Sequence, residues 1–316
     1  MEEETVYPHP RISVVVLTYN RADELCATLE RLLALPEKPP IVVADNGSTD
    51  DTVARVRATY PSVRVVECGD NLGAAGRNLG AACVDTEYVA FSDDDTWWGP
   101  GSLERAVHLF DAWPNAGVLN ARVVVGEGGA TDPTCTVMRA SPLGADGLPG
   151  PALIGYMAGA CVFRTALFRA VGGYASRLFI GGEEELVALD VLAFDQAIVY
   201  CEQLTVHHHP SPVRDSALRR RLLARNAAWT AWLRLPWREA SQATLHALAV
   251  FARERTLARD SADLLRGLPW AWRGRRVVPP LVLAMREQVR SAERDAAALE
   301  ADAGAASTAG NVDAPT

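Results

Sequence analysis

Between Ile12 and Val125 the chain alternates short β-branched runs with stretches of helical spacing, and few architectures accept that alternation. The runs ISVVVLT, PIVVAD, VRVVE, EYVAFSD and AGVLNARVVV read as strands, several of them apolar enough to be buried on both faces. Between them RADELCATLERLLAL, STDDTVARVRATY, GAAGRNLGAACV and GSLERAVHLFDAW place apolar residues at helical intervals. This pattern predicts an α/β fold, a mostly parallel sheet flanked by helices on both sides. In such sheets ligands bind beyond the carboxyl ends of the strands. The polar segments there are TYNR after the first strand, DNGSTD after the second and SDDDT after the fourth.

Residues 126–155 are rich in Gly and Pro and read as a long loop. GYMAGACVFRTALFRAVGGY then reads as a strand feeding a short helix that stops at Gly172-Gly173. FIGGEEELVALDVLAF reads as a Gly-Gly turn opening a helix, and AIVYCEQLTVHHHPSP as a closing strand with a histidine-rich end. After Pro212 the composition shifts to Arg, Ala, Leu and Trp, predicting helices broken at Pro236, Pro269 and Pro279-Pro280. The expected organisation is a tail over 1–10, an α/β domain over 11–213, a helical extension over 214–299 and an unstructured tail over 300–316.

Hydrophobic residues make up 49% of the 316 and charged residues 22%, the balance of a globular protein with a core. A net charge of -8 leaves no overall basic footprint for nucleic acid. An anionic ligand would therefore need positive charge concentrated locally, through a metal ion or a few arginines. The six cysteines are scattered without a CxxC pair, several inside apolar stretches, which fits free thiols in a reducing cytosol. The N-terminus MEEETVYPHP is acidic, unlike a signal peptide, and no apolar run approaches the roughly 18 residues of a spanning helix. A cytoplasmic protein, or one held peripherally at the inner membrane face, is the expectation.

Asp93-Asp94-Asp95 puts three carboxylates together at a strand end, where they repel one another unless a cation or hydrogen bonds compensate. Mg²⁺ and Mn²⁺ prefer such oxygens and keep positions open for substrate. The competing role is capping the helix of GSLERAVHLF. Asp45 ends the second strand and can accept from a base or ribose, with Asn46-Gly47 as a turn and Ser48 or Thr49 as a helix cap. Glu183, Glu184 and Glu185 follow Gly181-Gly182 at a helix start, where acidic residues suit the dipole and stay ionised. In the run His207-His208-His209, strand alternation puts His207 and His209 on one face and His208 on the other; the run could equally face solvent. Trp and Arg in WTAWLRLPW and PWAWRGRR suit a membrane surface, or helix packing through Trp229, Trp232 and Leu233 onto the core or a second subunit.

The succession VVVLTYNR, VVADNGSTDDT, NLGAAGRNLGA and YVAFSDDD resembles the family 2 glycosyltransferases of GT-A fold, and the likeness continues more loosely to about residue 210. That resemblance implies an inverting enzyme that uses a nucleotide-diphosphate sugar, UDP- or dTDP-linked, and a Mn or Mg cation. Acceptors in its reach are glycans, lipid-linked glycans and small molecules, and the terminal helices could pair two copies. It implies nucleotide contacts from Thr18, Tyr19, Asn20, Arg21 and Asp45, and Arg77 near the diphosphate. Asp94 and Asp93 fall near the ribose or sugar, Asp95 on the metal, and His207 or His209 would complete the metal site. The family's Gly-Gly-Glu-Asp motif ends in its general base; here Glu184 occupies that place, with Glu183 as the alternative. A nucleotidyltransferase would share the sheet but needs a basic Gly-rich loop that VVVLTYNRADEL lacks, and a non-catalytic homologue would have lost these acids.

Overall fold

The computed structural model describes residues 10–126, 128–210 and 216–309. Its strands are β1 (Ile12–Thr18), β2 (Ile41–Asp45), β3 (Arg64–Glu67), β4 (Tyr88–Asp93), β5 (Thr96–Trp98), β6 (Ala116–Val125), β7 (Ala130–Thr131), β8 (Ala152–Leu153), β9 (Cys161–Arg164) and β10 (Ala197–His208). Its helices are α1 (Ala22–Leu33), α2 (Thr52–Thr59), α3 (Gly76–Ala82), α4 (Ser102–Ala112), α5 (Pro133–Arg139), α6 (Thr165–Ala170) and α7 (Glu183–Ala193). The extension adds α8 (Ser216–Arg234), α9 (Trp237–Arg253), α10 (Leu257–Arg273) and α11 (Pro280–Ala309). Residues 1–9 of the expected tail 1–10, the boundary near 213 and residues 310–316 lie outside the described residues.

One sheet runs β3-β2-β1-β4-β9-β6-β10-β5, with β7 beside β6 and β8 beside β10. The β3-β2-β1-β4 half is parallel, as strand–helix alternation requires. Val14, Val15 and Val16 are fully buried there, so β1 is apolar on both faces because both faces are covered. The other half is mixed: β9 enters antiparallel between β4 and β6, while β6 and β10 pair in parallel. The reason is connectivity. No crossover helix returns the chain before β9; it arrives through the 126–155 segment, which holds α5, β7 and β8 rather than bare loop.

Helix α3 lies unusually close to the sheet. A Cβ on Gly80 would stand 2.6 Å from Val15 Cγ1, and one on Gly76 would stand 2.3 Å from Asn46 Oδ1. The glycines of GRNLGA are thus a spacing requirement, since any side chain there would lift the helix and the arginine it carries.

The extension is fastened to the α/β domain by a buried ion pair, Arg234 Nε to Asp190 Oδ1 at 2.5 Å, which joins α8 to α7. Beside it, Leu178 and Leu186 share a core with Trp229, Leu233, Phe251 and Leu264. Trp229 donates from Nε1 to the Leu264 carbonyl at 2.9 Å, and Gly267 leaves room for its ring. Trp229 and Leu233 therefore serve packing within the chain. Pro269 does not break the chain as the sequence suggested; it lies inside α10. Its missing N–H deprives only the carbonyl of Leu265, an exposed residue. The break falls earlier, at 254–256 between α9 and α10, where Arg255 adopts φ 59°. Helix α11 also continues to Ala309, into the stretch expected to be a tail, because its Ala-rich composition favours helix.

Replacing Gly80 with Ala would gain about 1 kcal/mol of helix propensity but overpack the α3–β1 contact at a cost of about 1–3 kcal/mol. Denaturant unfolding should therefore find Gly80→Ala less stable than the parent. A more stable variant would mean that the helix shifts without resistance.

Candidate active site

The carboxyl edge of the parallel half aligns the polar residues that the strands end on. Thr18 stands beside Asp45, Asp45 beside Glu67, and Leu17 beside Asp93. Thr18 donates from Oγ1 to Asp94 Oδ2 at 3.1 Å. Arg21, at the start of α1, donates to Asp94 Oδ1 at 2.5 Å and Asp95 Oδ2 at 3.1 Å. Asp45 accepts from the Ser48 N–H at 3.0 Å through Oδ2, while its Oδ1 is buried without a partner. The neighbouring Asn46 Oδ1 is likewise unpartnered. Asn46 Oδ1 is pressed against Gly76 of α3, so the Asp45 oxygen at the strand end is the acceptor that a ligand donor could satisfy. Tyr19 presents an exposed ring at the same edge.

Asn20, in the left-handed region at φ 53°, has a framework role. Its N–H donates to Ser48 Oγ at 2.9 Å and its Oδ1 accepts from the Thr49 N–H at 2.7 Å. Ser48 and Thr49 thus hold the first loop to the second instead of capping α2. The capping contact falls to Asp50, whose Oδ1 accepts from the Thr52 N–H at 3.1 Å.

Asp94 and Asp95 form a buried turn between β4 and β5. The capping alternative for this cluster does not hold, because Gly101 is the N-cap of α4 and β5 intervenes. Burial pushes the Asp94 carboxyl up to about 7, even with Arg21 pulling it down. Asp93 is more open and is held by Arg77 from α3. Arg77 is only 4% exposed and lies 5.7 Å from the Tyr174 ring centroid. The resemblance implied Arg77 near the diphosphate; in the structure it is a buried partner of Asp93, because the glycine-spaced helix sinks it against the sheet. Sequence reading did not single out Thr96 and Gly159. Thr96 Oγ1 accepts from the Asp93 N–H at 2.7 Å, and a Cβ on Gly159 would stand 2.5 Å from Asp93 Oδ2. The small-residue run AGA at 158–160 was the only trace of that close approach.

Helix α7 opens from Gly181 and Gly182, both at positive φ. Glu183 is buried with Oε2 unpartnered, whereas Glu184 retains partial exposure. Burial raises the Glu183 carboxyl to about 7, with help from neighbouring Glu184. Burial raises Glu184 as well, against the pull of the helix-start amides and Arg77. The dipole argument, which kept these groups at ordinary acidity, is overridden by desolvation. The other charges bearing on Glu184 are Asp93 and the exposed Arg219 of α8, so the helix start and the aspartate turn share one site. Glu185 turns away and pairs with Arg286 at 2.8 Å.

The histidine run corrects the alternation argument. His208, not His207 or His209, faces the aspartates, with Nε2 3.7 Å from Asp95 Oδ1. His207 stacks on Trp97 at 5.5 Å, toward a depression lined by Gly99, Ser102, Arg105 and Thr205. His209 follows the end of β10 and reaches Asp95 only through its backbone N–H, 2.9 Å from the Asp95 carbonyl. Strand phase was read correctly, but β10 pairs with β5 and β6 in a register that turns the other face to the site. Among the described residues no three metal-ligating side chains converge. Asp95 with His208 nonetheless fits a hard cation that takes its remaining ligands from phosphate and water. Five carboxyl groups meet here: Arg21 and Arg77 pair with Asp93, Asp94 and Asp95, while burial shifts Asp94, Glu183 and Glu184 toward the neutral form.

Comparison with known proteins agrees with this geometry. The family model described as Glycosyl transferase family 2 matches residues 13–172, half of the chain, and the chain belongs to that family. It is a glycosyltransferase of GT-A fold. An N-acetylglucosaminyl-diphospho-decaprenol L-rhamnosyltransferase of Mycobacterium tuberculosis is 28% identical over 247 residues, covering 65% of this chain and 79% of the relative. The Escherichia coli β-1,3-glucosyltransferase WfaP, which acts on α-D-GlcNAc-diphosphoundecaprenol with UDP-Glc, is 31% identical over 104 residues, 32% of this chain and 41% of its own. Among solved structures, mannosyltransferase PcManGT from Pyrobaculum calidifontis, in complex with GDP-Man and Mn2+, superposes with a TM-score of 0.56 at 20% identity. That match covers 96% of this chain and 81% of PcManGT.

The raised Glu183 carboxyl has a signature in stability. A folded-state pKa above the unfolded value leaves stability intact below about 4.5 and removes it as pH rises through about 7. Glu183→Gln should accordingly raise the melting temperature relative to the parent more at pH 8 than at pH 5. A gain that is equal or smaller at pH 8 would contradict the buried, unpartnered carboxyl.

Proposed function

We propose that the protein transfers a sugar from a UDP- or dTDP-linked donor to the hydroxyl of an acceptor, with inversion at the anomeric carbon. The observation that carries this reading is the meeting of two structural units at one edge. The strand ends supply Asp45 and Asp93–Asp95, and the Gly-Gly helix start supplies Glu184, with Arg77 between them. Asp45 Oδ1 accepts from the nucleotide, and Arg21 holds Asp94 and Asp95 in place. A Mn²⁺ or Mg²⁺ ion held by Asp95 and His208 would supply charge neutralisation for the donor diphosphate.

Glu184 accepts the proton of the acceptor hydroxyl as its oxygen forms the new bond to the anomeric carbon. The bond from that carbon to the phosphate oxygen breaks on the opposite face, and its electron pair leaves with the nucleotide diphosphate. Glu184 suits the role because it is partly open while Glu183 is enclosed. A raised pKa also makes it a stronger base than an ordinary surface glutamate. We propose a lipid-linked acceptor, by analogy with the diphospho-polyprenol acceptors named for the relatives; Arg219, exposed beside Glu184, is the cation that would meet that diphosphate. This would place the enzyme at the cytoplasmic face of a membrane.

Donor binding should be visible without turnover. UDP or dTDP should raise the melting temperature with Mn²⁺ present and lose that effect in EDTA, since only a ligand of the folded state stabilises it. Asp95→Ala should erase the Mn²⁺ dependence, and His208→Ala should weaken it less. Equal stabilisation in EDTA would rule out a cation bridge.

The base is tested by Glu184→Gln, which should keep donor affinity and lower transfer by roughly 10²–10⁴-fold. Because the base must be ionised, transfer by the parent should rise with pH through the raised carboxyl pKa, and that limb should vanish in the variant. An inactive Glu183→Gln beside an active Glu184→Gln would exchange the two roles.

A further inference from the structure

The C-terminal helices leave one face of the molecule both aromatic and cationic. Trp237 lies 5.3 Å from Trp232 and 5.1 Å from Trp272 between ring centroids. Trp232 is half-buried and donates to Thr244 Oγ1 at 2.9 Å, but Trp237 is 50% and Trp272 59% exposed. Arg275 lies over the Trp237 ring at 4.4 Å. Arg238, Arg273 and Arg276 are exposed next to these residues in the chain, and Val277 and Leu281 extend the apolar surface. From Leu264 to Arg286 the sequence has five arginines and no acidic residue, in a protein of net charge -8.

We propose that this face docks the enzyme on an anionic lipid bilayer. Trp237 and Trp272 would enter the boundary between headgroups and acyl chains, and Arg238, Arg273 and Arg276 would meet lipid phosphates. Exposed indole rings beside arginines match that boundary, where an amphipathic ring has one apolar and one wet side. Anionic lipid attracts this basic face and repels the acidic remainder, so the charge pattern also sets orientation. A second copy is a poor occupant, because a twofold contact would bring the same arginines against each other. The attachment is peripheral, as no helix among the described residues is long and apolar enough to span a membrane. Helix α8 links this face to the site: Asn226 binds the Leu178 and Gly181 carbonyls, and Trp232 follows about 9 Å further along the axis. The proposal stands independently of the donor, acceptor and base assignments.

Co-sedimentation of the full chain with vesicles tests it. The protein should bind mixed phosphatidylglycerol–phosphatidylcholine vesicles and bind pure phosphatidylcholine at least about tenfold more weakly, with binding falling as salt rises. Arg273→Glu/Arg276→Glu and Trp237→Ser/Trp272→Ser should each reduce binding to the mixed vesicles by at least about tenfold. The arginine pair is fully on the surface, so it decides the matter should the tryptophan variant melt early. Absence of parent binding to the mixed vesicles, or parent-like binding by the arginine variant, overturns the proposal. So does a dimer in vesicle-free solution that the tryptophan variant converts to monomer, which would make a second copy the occupant.

Discussion

Five carboxylates crowded around one edge of the sheet are the constraint to which the rest of the architecture answers. At about 4 Å, two like charges repel by about 4 kcal/mol at an effective dielectric of 20. Asp93, Asp94 and Asp95 are consecutive, so the chain cannot separate them. Compensation comes from two guanidinium groups delivered by different elements: Arg21 at the opening of α1 and Arg77 on α3. Arg77 reaches Asp93 only because Gly76 and Gly80 let α3 press against β1 and the segment after β2. Glycines in a helix, ordinarily a loss of stability, are here the condition for neutralising the site.

The second half of the site depends on a different fastening. Helix α7 begins at two left-handed glycines, residues that adopt this conformation freely and so leave the corner to be fixed by its neighbours. Asn226 of α8 supports that corner from outside, reaching the carbonyls of Leu178, Ile180 and Gly181. The Arg234–Asp190 pair secures the far ends of the same two helices. The helical extension is therefore a buttress for the acidic helix start. Removing one partner of so buried a pair would strand the other's charge.

Much of the sheet's carboxyl edge was visible in the sequence because it is local: strand ends, turn residues and an aspartate run are contiguous, and their order matched one family. What the sequence did not disclose depends on how distant segments meet. Alternation along the histidine run was sound, yet which face meets Asp95 follows from the pairing of β10 with β5 and β6. The charge of Arg77 was plain, but its burial arises from glycine spacing in three dimensions. The acidity of Glu183 and Glu184 was misjudged because a helix start is a local feature and desolvation is a tertiary one. The antiparallel entry of β9 and the passage of α10 through Pro269 belong to the same class.

The corner before Glu183 limits how freely this protein's sequence could drift. Phe179 holds φ 62°, and its carbonyl accepts from the Ala74 N–H at 2.7 Å, while Asn46 Nδ2 donates to the Gly73 carbonyl at 2.9 Å. Asn46, Gly73 and Phe179 thus form a relay from the second strand's loop to the corner before Glu183. Position 73 has no latitude at all: its φ of 61° disfavours side chains, and a Cβ would stand 2.1 Å from the Phe179 oxygen. Position 179 is looser in its half-open ring but not in its backbone, because a φ of 62° disfavours most side chains there, β-branched ones above all. Descendants of this chain could alter the rim residue by residue while inheriting the relay unchanged.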